Sequence, residues 1–134
     1  MFQRMFSNSR KFREEICKDL RTVSDIQDCI ESRQKDVPGF KQETYSSSFA
    51  LVVGAGGLNG EVVEGLVRKG IGTIDIFDGD LVALSNLNRQ MFTNKDVGKN
   101  KAQRIAKNLS KQGFMGTAIR GYPMHFQEYL NERD

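Results

Sequence analysis

From Phe12 to Ile30 the apolar residues Ile16, Leu20, Val23, Ile26 and Ile30 recur at intervals of three and four, the spacing that lines one face of an α-helix. The pattern predicts an amphipathic helix that packs against another surface. Asp36-Val37-Pro38-Gly39 breaks it, and the polar, Ser-rich stretch from Gln42 to Ser48 reads as a connector. Residues 1–35 are thus expected to form an N-terminal helical segment, 36–48 a connector and 49–134 a second module.

The rhythm changes at Phe49. Phe49-Ala50-Leu51-Val52-Val53 is wholly apolar, like a strand of a covered parallel sheet, and runs directly into Gly54-Ala55-Gly56-Gly57. Leu58 to Lys69 returns to helical spacing through Leu58, Val62, Val63, Leu66 and Val67, and Gly70 stands where a left-handed C-terminal cap belongs. Thr73–Phe77 reads as a second strand and residues 81–98 as a long loop. Lys99–Gln112 reads as a helix with Ala102, Ile105, Ala106 and Leu109 on one face and Gly113 as its stop. Thr117–Tyr122 is a weaker third strand, and a last helix starts after Pro123.

Together these elements predict the α/β class: a Rossmann-like parallel βαβαβ half-sheet, strand order 3-2-1 with right-handed crossovers, preceded by the amphipathic helix. In such sheets the ligand crevice forms beside the first strand, where a fourth strand joins on its other side. The chain stops short of a fourth strand. Its apolar first strand is therefore expected to be an open edge, and the half domain to be either truncated or completed by a partner surface.

Composition narrows the function. With 38% hydrophobic and 28% charged residues, and no apolar run long enough to cross a bilayer, no membrane span is expected. Thirteen Gly against two Pro exclude collagen-like and Pro-rich chains. A formal charge of +3 is too small to point to nucleic acid as a partner. The basic excess is concentrated, however: Lys95, Lys99, Lys101, Arg104, Lys107 and Lys111 stand against Asp96 alone. Two readings stay open there, a solvated helix face or a local anionic ligand. Cys17 and Cys29 fit neither a CxxC nor a zinc spacing, so no metal site is expected and both thiols read as reduced, half-buried and inert. Met1–Arg13 is basic but lacks the apolar core and cleavage site of a secretory signal; the cytoplasm is the expected location, with a transit peptide as the alternative.

The chemistry gathers at the strand ends. Gly54, Gly56 and Gly57 let the backbone turn sharply and approach a phosphate at a helix N-terminus, where free N–H groups and the helix dipole favour an anion. The dinucleotide fingerprint GxGxxG is not met, because Asn59 stands at its third glycine and Gly60 comes one residue late. A tight turn without ligand is the competing reading, as an ordinary Asp-Gly-Asp turn is for Asp80. Asp78 ends the second strand about two dozen residues beyond Gly54, where an acidic side chain accepts from ribose hydroxyls.

Ser85-Asn86-Leu87-Asn88-Arg89-Gln90 follows, and then Asp96-Val97-Gly98-Lys99-Asn100-Lys101. GxGG, DxD, SNLNRQ and DVGxxK at these spacings resemble the nucleotide-binding half of the ThiF/MoeB superfamily, which includes ubiquitin-activating enzymes and the adenylyltransferases of thiamine and molybdopterin biosynthesis. Ser32-Arg33-Gln34 and Pro38-Gly39-Phe40 extend the resemblance, which covers about residues 32–122.

The resemblance implies ATP-dependent adenylation of the C-terminal carboxylate of a ubiquitin-like or sulfur-carrier protein. Gly57 and its neighbours would line the ATP phosphates, Asp78 would hold the ribose with Asp80 beside it, and Ser85, Asn86, Leu87, Asn88 and Arg89 would fold around the nucleotide. Asn86 and Arg89 would be side-chain contacts and Lys101 would reach the phosphates. Arg33 would enter a neighbouring subunit's site in a homodimer, or be an ordinary surface residue.

Mg²⁺ would accompany ATP, its protein ligand lying beyond residue 134, where a catalytic cysteine and zinc-binding CxxC pairs would also fall. Some members modify tRNA, so the acceptor stays open. The carboxylate nucleophile is ionised at neutral pH and needs no base, so the single His125 reads as a surface residue at a helix start. Asn59 departs from the family pattern, either crowding the helix start or adding a hydrogen bond. A non-catalytic ATP-binding or dimerisation module is the second reading. A dinucleotide-dependent oxidoreductase half is the third, and it has no use for SNLNRQ.

Overall fold

The computed structural model describes residues 23–112 and 116–133, with the side chains of residues 23–27 left aside. The expectations on Ile16, Leu20, Cys17 and Gly113, and on the side chains of Val23 and Ile26, lie outside the described residues. The chain divides into two compact units, residues 1–40 and 41–134.

In the first unit, helix α1 spans Val23–Lys35. Its last turn is closed by Lys35, whose ammonium lies 2.8 Å from Glu31 and 3.0 Å from Asp28. Ile30, the last member of the predicted apolar stripe, is exposed, and Cys29 beside it is exposed instead of half-buried, whereas Glu31 is buried with its charge paired to Lys35. The helix gives way to a turn in which Gly39 takes φ +82°, open to glycine at no steric cost.

The second unit is built on a three-stranded parallel sheet of β1 (Phe49–Val53), β2 (Thr73–Phe77) and β3 (Ala118–Tyr122) in the order β1-β2-β3. Phe49, Thr73 and Ala118 share one rung, and Val53, Phe77 and Tyr122 the last. The predicted order 3-2-1 is this order read from the other edge.

The predicted connector contains a short helix, α2 (Gln42–Ser46). Its serines explain it: Ser46, Ser47 and Ser48 each donate a hydroxyl to the carbonyl four residues earlier, so a polar Ser-rich stretch closes a helical turn by back-bonding. The buried Gln42 ties it to the end of the next helix through the Lys69 carbonyl at 3.2 Å.

Helices α3 (Gly57–Lys69) and α4 (Lys101–Ser110) are the two crossovers. Successive strand side chains alternate between faces, so Ala50, Val52, Ile74, Ile76 and Ile119 share one face and pack with Val63, Val67, Ala102, Ile105 and Leu109. Gly70 ends α3 at φ +79°, as predicted. Leu58 and Val62 are exposed instead of buried, at 77% and 44%. At 100° per residue they lie opposite the face of Val63 and Val67, so the apolar positions of α3 form two stripes and only one meets the core.

The second sheet face is uneven. Phe49, Leu51 and Val53 of β1 are exposed, Asp75 and Arg120 pair across β2 and β3, and Phe77 stacks on Tyr122 with centroids 4.4 Å apart. Helix α5 (Phe126–Asn131) closes over these rings with Phe126 and Tyr129.

Candidate nucleotide-binding site

The C-terminal ends of β1 and β2 open on a cleft of about 480 Å³ lined by Val53, Gly54, Phe77, Asp78, Asp80, His125, Phe126 and Gln127. Gly54, at φ +92°, turns the chain out of β1 and donates its N–H to the Phe77 carbonyl at 2.7 Å. The buried Asp78 carboxylate fixes both rims: one oxygen accepts from Ala55 N–H and the other from Asp80 N–H, each at 2.7 Å. Each oxygen keeps a further lone pair for a ligand hydroxyl.

Asn59 resolves its own ambiguity. Its amide donates to the carbonyls of Val53 (3.0 Å) and Gly54 (2.9 Å), so it braces the glycine turn instead of crowding it.

Asn100, which no sequence motif marks as a site residue, welds the acidic loop to α4. Its amide nitrogen donates to the carbonyls of Asp78 (2.6 Å) and Asp80 (3.2 Å), while its oxygen caps α4 by accepting from Gln103 N–H. The cap explains why α4 begins at Lys101 and not at Lys99. An Asn directly before a helical run was the signal available. Lys101, nearly buried, brings its ammonium to 3.4 Å from Asp80, and His125 lies 3.9 Å from the other oxygen of Asp80. His125, Phe126 and Gln127 join the cleft because α5 begins beside Gly79, a placement no local pattern announces.

The SNLNRQ segment folds against the glycine turn. A Cβ on Gly57 would lie 3.1 Å from the Arg89 carbonyl oxygen. Asn86 is buried and accepts from Ala83 N–H, Leu87 leans on the core, and Arg89 donates to the Ser85 carbonyl and the Asn88 side chain. Beside them the side-chain oxygen of Gln90 is buried and, among the described residues, without a hydrogen-bond partner.

The second unit therefore brings together Gly54, Asp78, Asp80 and Lys101, and sets Gly57 against Arg89. Arg33 belongs to the last turn of α1, in the first unit. No three His, Cys, Asp or Glu side chains gather into a metal cage among the described residues. None of the described helices is long and apolar enough to cross a membrane.

The model of the ThiF family matches residues 25–133. The chain belongs to the ThiF family. This ThiF-family chain is 36% identical over 94 residues to the NEDD8-activating enzyme E1 catalytic subunit of Caenorhabditis elegans, which covers 69% of this chain and 22% of that one. It is 40% identical over 79 residues to the adenylyltransferase and sulfurtransferase MOCS3 of Caenorhabditis briggsae, covering 58% and 20%. It spans about a fifth of the length of these relatives.

Among solved structures it resembles E. coli MccB, with TM-score 0.61 and 29% identity over 69% of this chain and 27% of that one. It also resembles E. coli tRNA N6-threonylcarbamoyladenosine dehydratase, TcdA, with TM-score 0.70 and 25% identity over 83% and 49%. MccB has been crystallised with ATP.

Proposed function

We propose that this chain supplies the ATP-binding half of a ThiF-type adenylyltransferase that activates the C-terminal carboxylate of a ubiquitin-like or sulfur-carrier protein. The observation that carries the reading is the buried Asp78 carboxylate, which clamps the glycine turn to the acidic loop at the mouth of the cleft. A carboxylate oxygen attacks the α-phosphorus, the bond to pyrophosphate breaks, and acyl adenylate and pyrophosphate leave. The nucleophile is already ionised, so the protein's task is in-line positioning and neutralisation of charge on the departing pyrophosphate.

In this proposal the N–H groups at the start of α3 take phosphate oxygens, and Asp78 and Asp80 take ribose hydroxyls. Arg89 and Lys101 exchange their present partners, the Ser85 carbonyl and Asp80, for phosphate. Arg33 acts from a neighbouring copy in a homodimer. Mg²⁺ arrives with ATP, its protein ligand supplied from beyond residue 134. The likeness to the NEDD8-activating enzyme and MOCS3 supports the carrier-protein acceptor.

Titration calorimetry with MgATP, followed by pyrophosphate exchange with carrier proteins bearing a free or an amidated C-terminus, tests the reading. ATP binding that weakens roughly tenfold in Lys101→Ala and Arg89→Ala supports the site. Exchange confined to the free carboxylate supports the reaction, and binding indifferent to both substitutions overturns the site. A second reading, a non-catalytic ATP-binding module completed by a partner, is favoured by the exposed Phe49, Leu51 and Val53 on the open strand. It predicts ATP binding without exchange.

A further inference from the structure

On the far side of the sheet from β1, a groove of about 490 Å³ runs between α4 and β3, lined by Lys99, Gln103, Lys107, Ser110, Ile119 and Gly121 among others. It shares no lining residue with the nucleotide cleft. Gln103, Lys107 and Lys111 follow one i, i+4 row along α4 and its C-cap, and Lys99 lines the same groove just before the helix, its ammonium donating to the Lys95 carbonyl at 2.7 Å; all five residues are exposed. Among the described residues none of these four lysines has an ion-pair partner; the nearby carboxylate, Asp96, is buried and paired with Arg104. Among the described residues, therefore, no carboxylate balances the positive charge of these lysines.

The other wall of the groove is an open sheet edge. Ala118 N–H bonds the Gly72 carbonyl and the Tyr122 carbonyl accepts from Asp78 N–H, so residues 118, 120 and 122 turn their peptide groups toward β2. In a parallel ladder the intervening residues, Ile119 and Gly121, turn theirs outward. Gly121 also keeps this edge slim, because a Cβ there would overlap the Ala102 carbonyl of α4.

We propose that this groove receives an extended acidic segment of a partner protein, added as a strand beside β3. The backbone of Ile119 and Gly121 supplies hydrogen bonds, and every second side chain of the incoming strand points toward the helix face, where Lys99 and Lys107 stand. The partner's acidic residues therefore alternate with apolar or neutral ones. Among the described residues no aromatic side chain lines the groove on which a nucleic-acid base could stack, which favours peptide over single-stranded RNA.

The test uses the full chain and a fluorescein-labelled nine-residue peptide alternating Glu and Val, read by anisotropy. A block isomer of the same composition, with its five Glu residues consecutive, and polyuridylate are the comparisons. The alternating peptide is expected to bind about fivefold more tightly than the block isomer, because all of its Glu side chains share the face that meets the lysines whereas the block isomer turns two of them away. The double variant Lys99→Glu/Lys107→Glu, on exposed positions, is expected to weaken it about tenfold or more. N-methylation of one alternate set of peptide amides should abolish binding while the other set is tolerated.

Equal binding of the two isomers, or equal sensitivity to both methylation sets, overturns strand addition. Polyuridylate binding as tightly, with the same loss in the double variant, overturns the partner class. No binding by any acidic peptide overturns the proposal and leaves the lysines as guards of an open edge.

Discussion

Replacing Asp96 with Asn perturbs the joint between the SNLNRQ-bearing loop and α4. Asp96 is 1% exposed. One oxygen accepts from Thr93 N–H (2.8 Å), Thr93 hydroxyl (3.1 Å) and Asn108 amide (3.2 Å), and the other from Arg104 Nε at 2.6 Å. An Asn that keeps the first three contacts must turn its NH₂ toward the guanidinium, donor against donor. Breaking one side of a buried pair costs about 3–5 kcal/mol. Arg104 retains the Asn108 side-chain oxygen at 3.2 Å, so the loss is placed at about 2–4 kcal/mol, a large share of the roughly 5–15 kcal/mol of a typical domain.

The assay is urea unfolding of the wild type and Asp96→Asn from pH 7 down to pH 3. Burial, the strongest single influence, pushes the Asp96 carboxyl up. The Thr93 amide, Arg104, the Thr93 hydroxyl and Asn108 together outweigh it and hold the group below its ordinary value. A folded value below the unfolded one contributes stability above about pH 4, and that stability is lost as pH falls through the folded value. The wild-type advantage should therefore be flat from pH 7 to about pH 5 and shrink in acid. A difference below about 0.5 kcal/mol at pH 7, or one that persists undiminished at pH 3, refutes the reasoning.

Three further outcomes are expected. Asp78→Ala orphans the buried Ala55 N–H and loses the Asp80 contact, so denaturant unfolding should show a loss of about 2–3 kcal/mol and calorimetry a loss of nucleotide binding. Gly121→Ala forces the α4 backbone away from β3 and should cost about 2 kcal/mol or more, whereas Gly65→Ala, in α3 with open space above it, should gain up to about 1 kcal/mol in thermal unfolding. Asn59→Ala removes two hydrogen bonds to partly solvated carbonyls, and should lower stability by about 1 kcal/mol in the same measurement.

Much of the fold was legible because its elements are locally consistent. The apolar run Phe49–Val53, the strand Thr73–Phe77 and the cap at Gly70 each appear where pattern and turn chemistry place them. Periodicity counts apolar residues but not how many neighbours a helix has, so Leu58 and Val62 read as core and lie outside it. Composition alone hides α2, whose serines satisfy the backbone they elsewhere disrupt. At the cleft, spacing singled out Gly54 and Asp78 and the family resemblance Lys101, and the fold sets the three near one another at the strand ends. The cleft-lining place of His125 and the bridging role of Asn100 depend on what folds beside them.

The chain between Leu81 and Asn100 leaves and re-enters the domain at one point. Leu81 bridges Asn100, Val82 N–H meets the Lys99 carbonyl, Gly98 N–H meets the Val82 carbonyl, and Lys101 N–H meets the Asp80 carbonyl. With its two ends stapled together and Val82, Leu87, Phe92 and Val97 seated on the core, this stretch is held at its neck and along its body. Substitutions at the exposed Leu84, Ser85 and Asn88 can thus vary what the loop presents to a partner while Asp80 and Lys101 stay where the neck holds them.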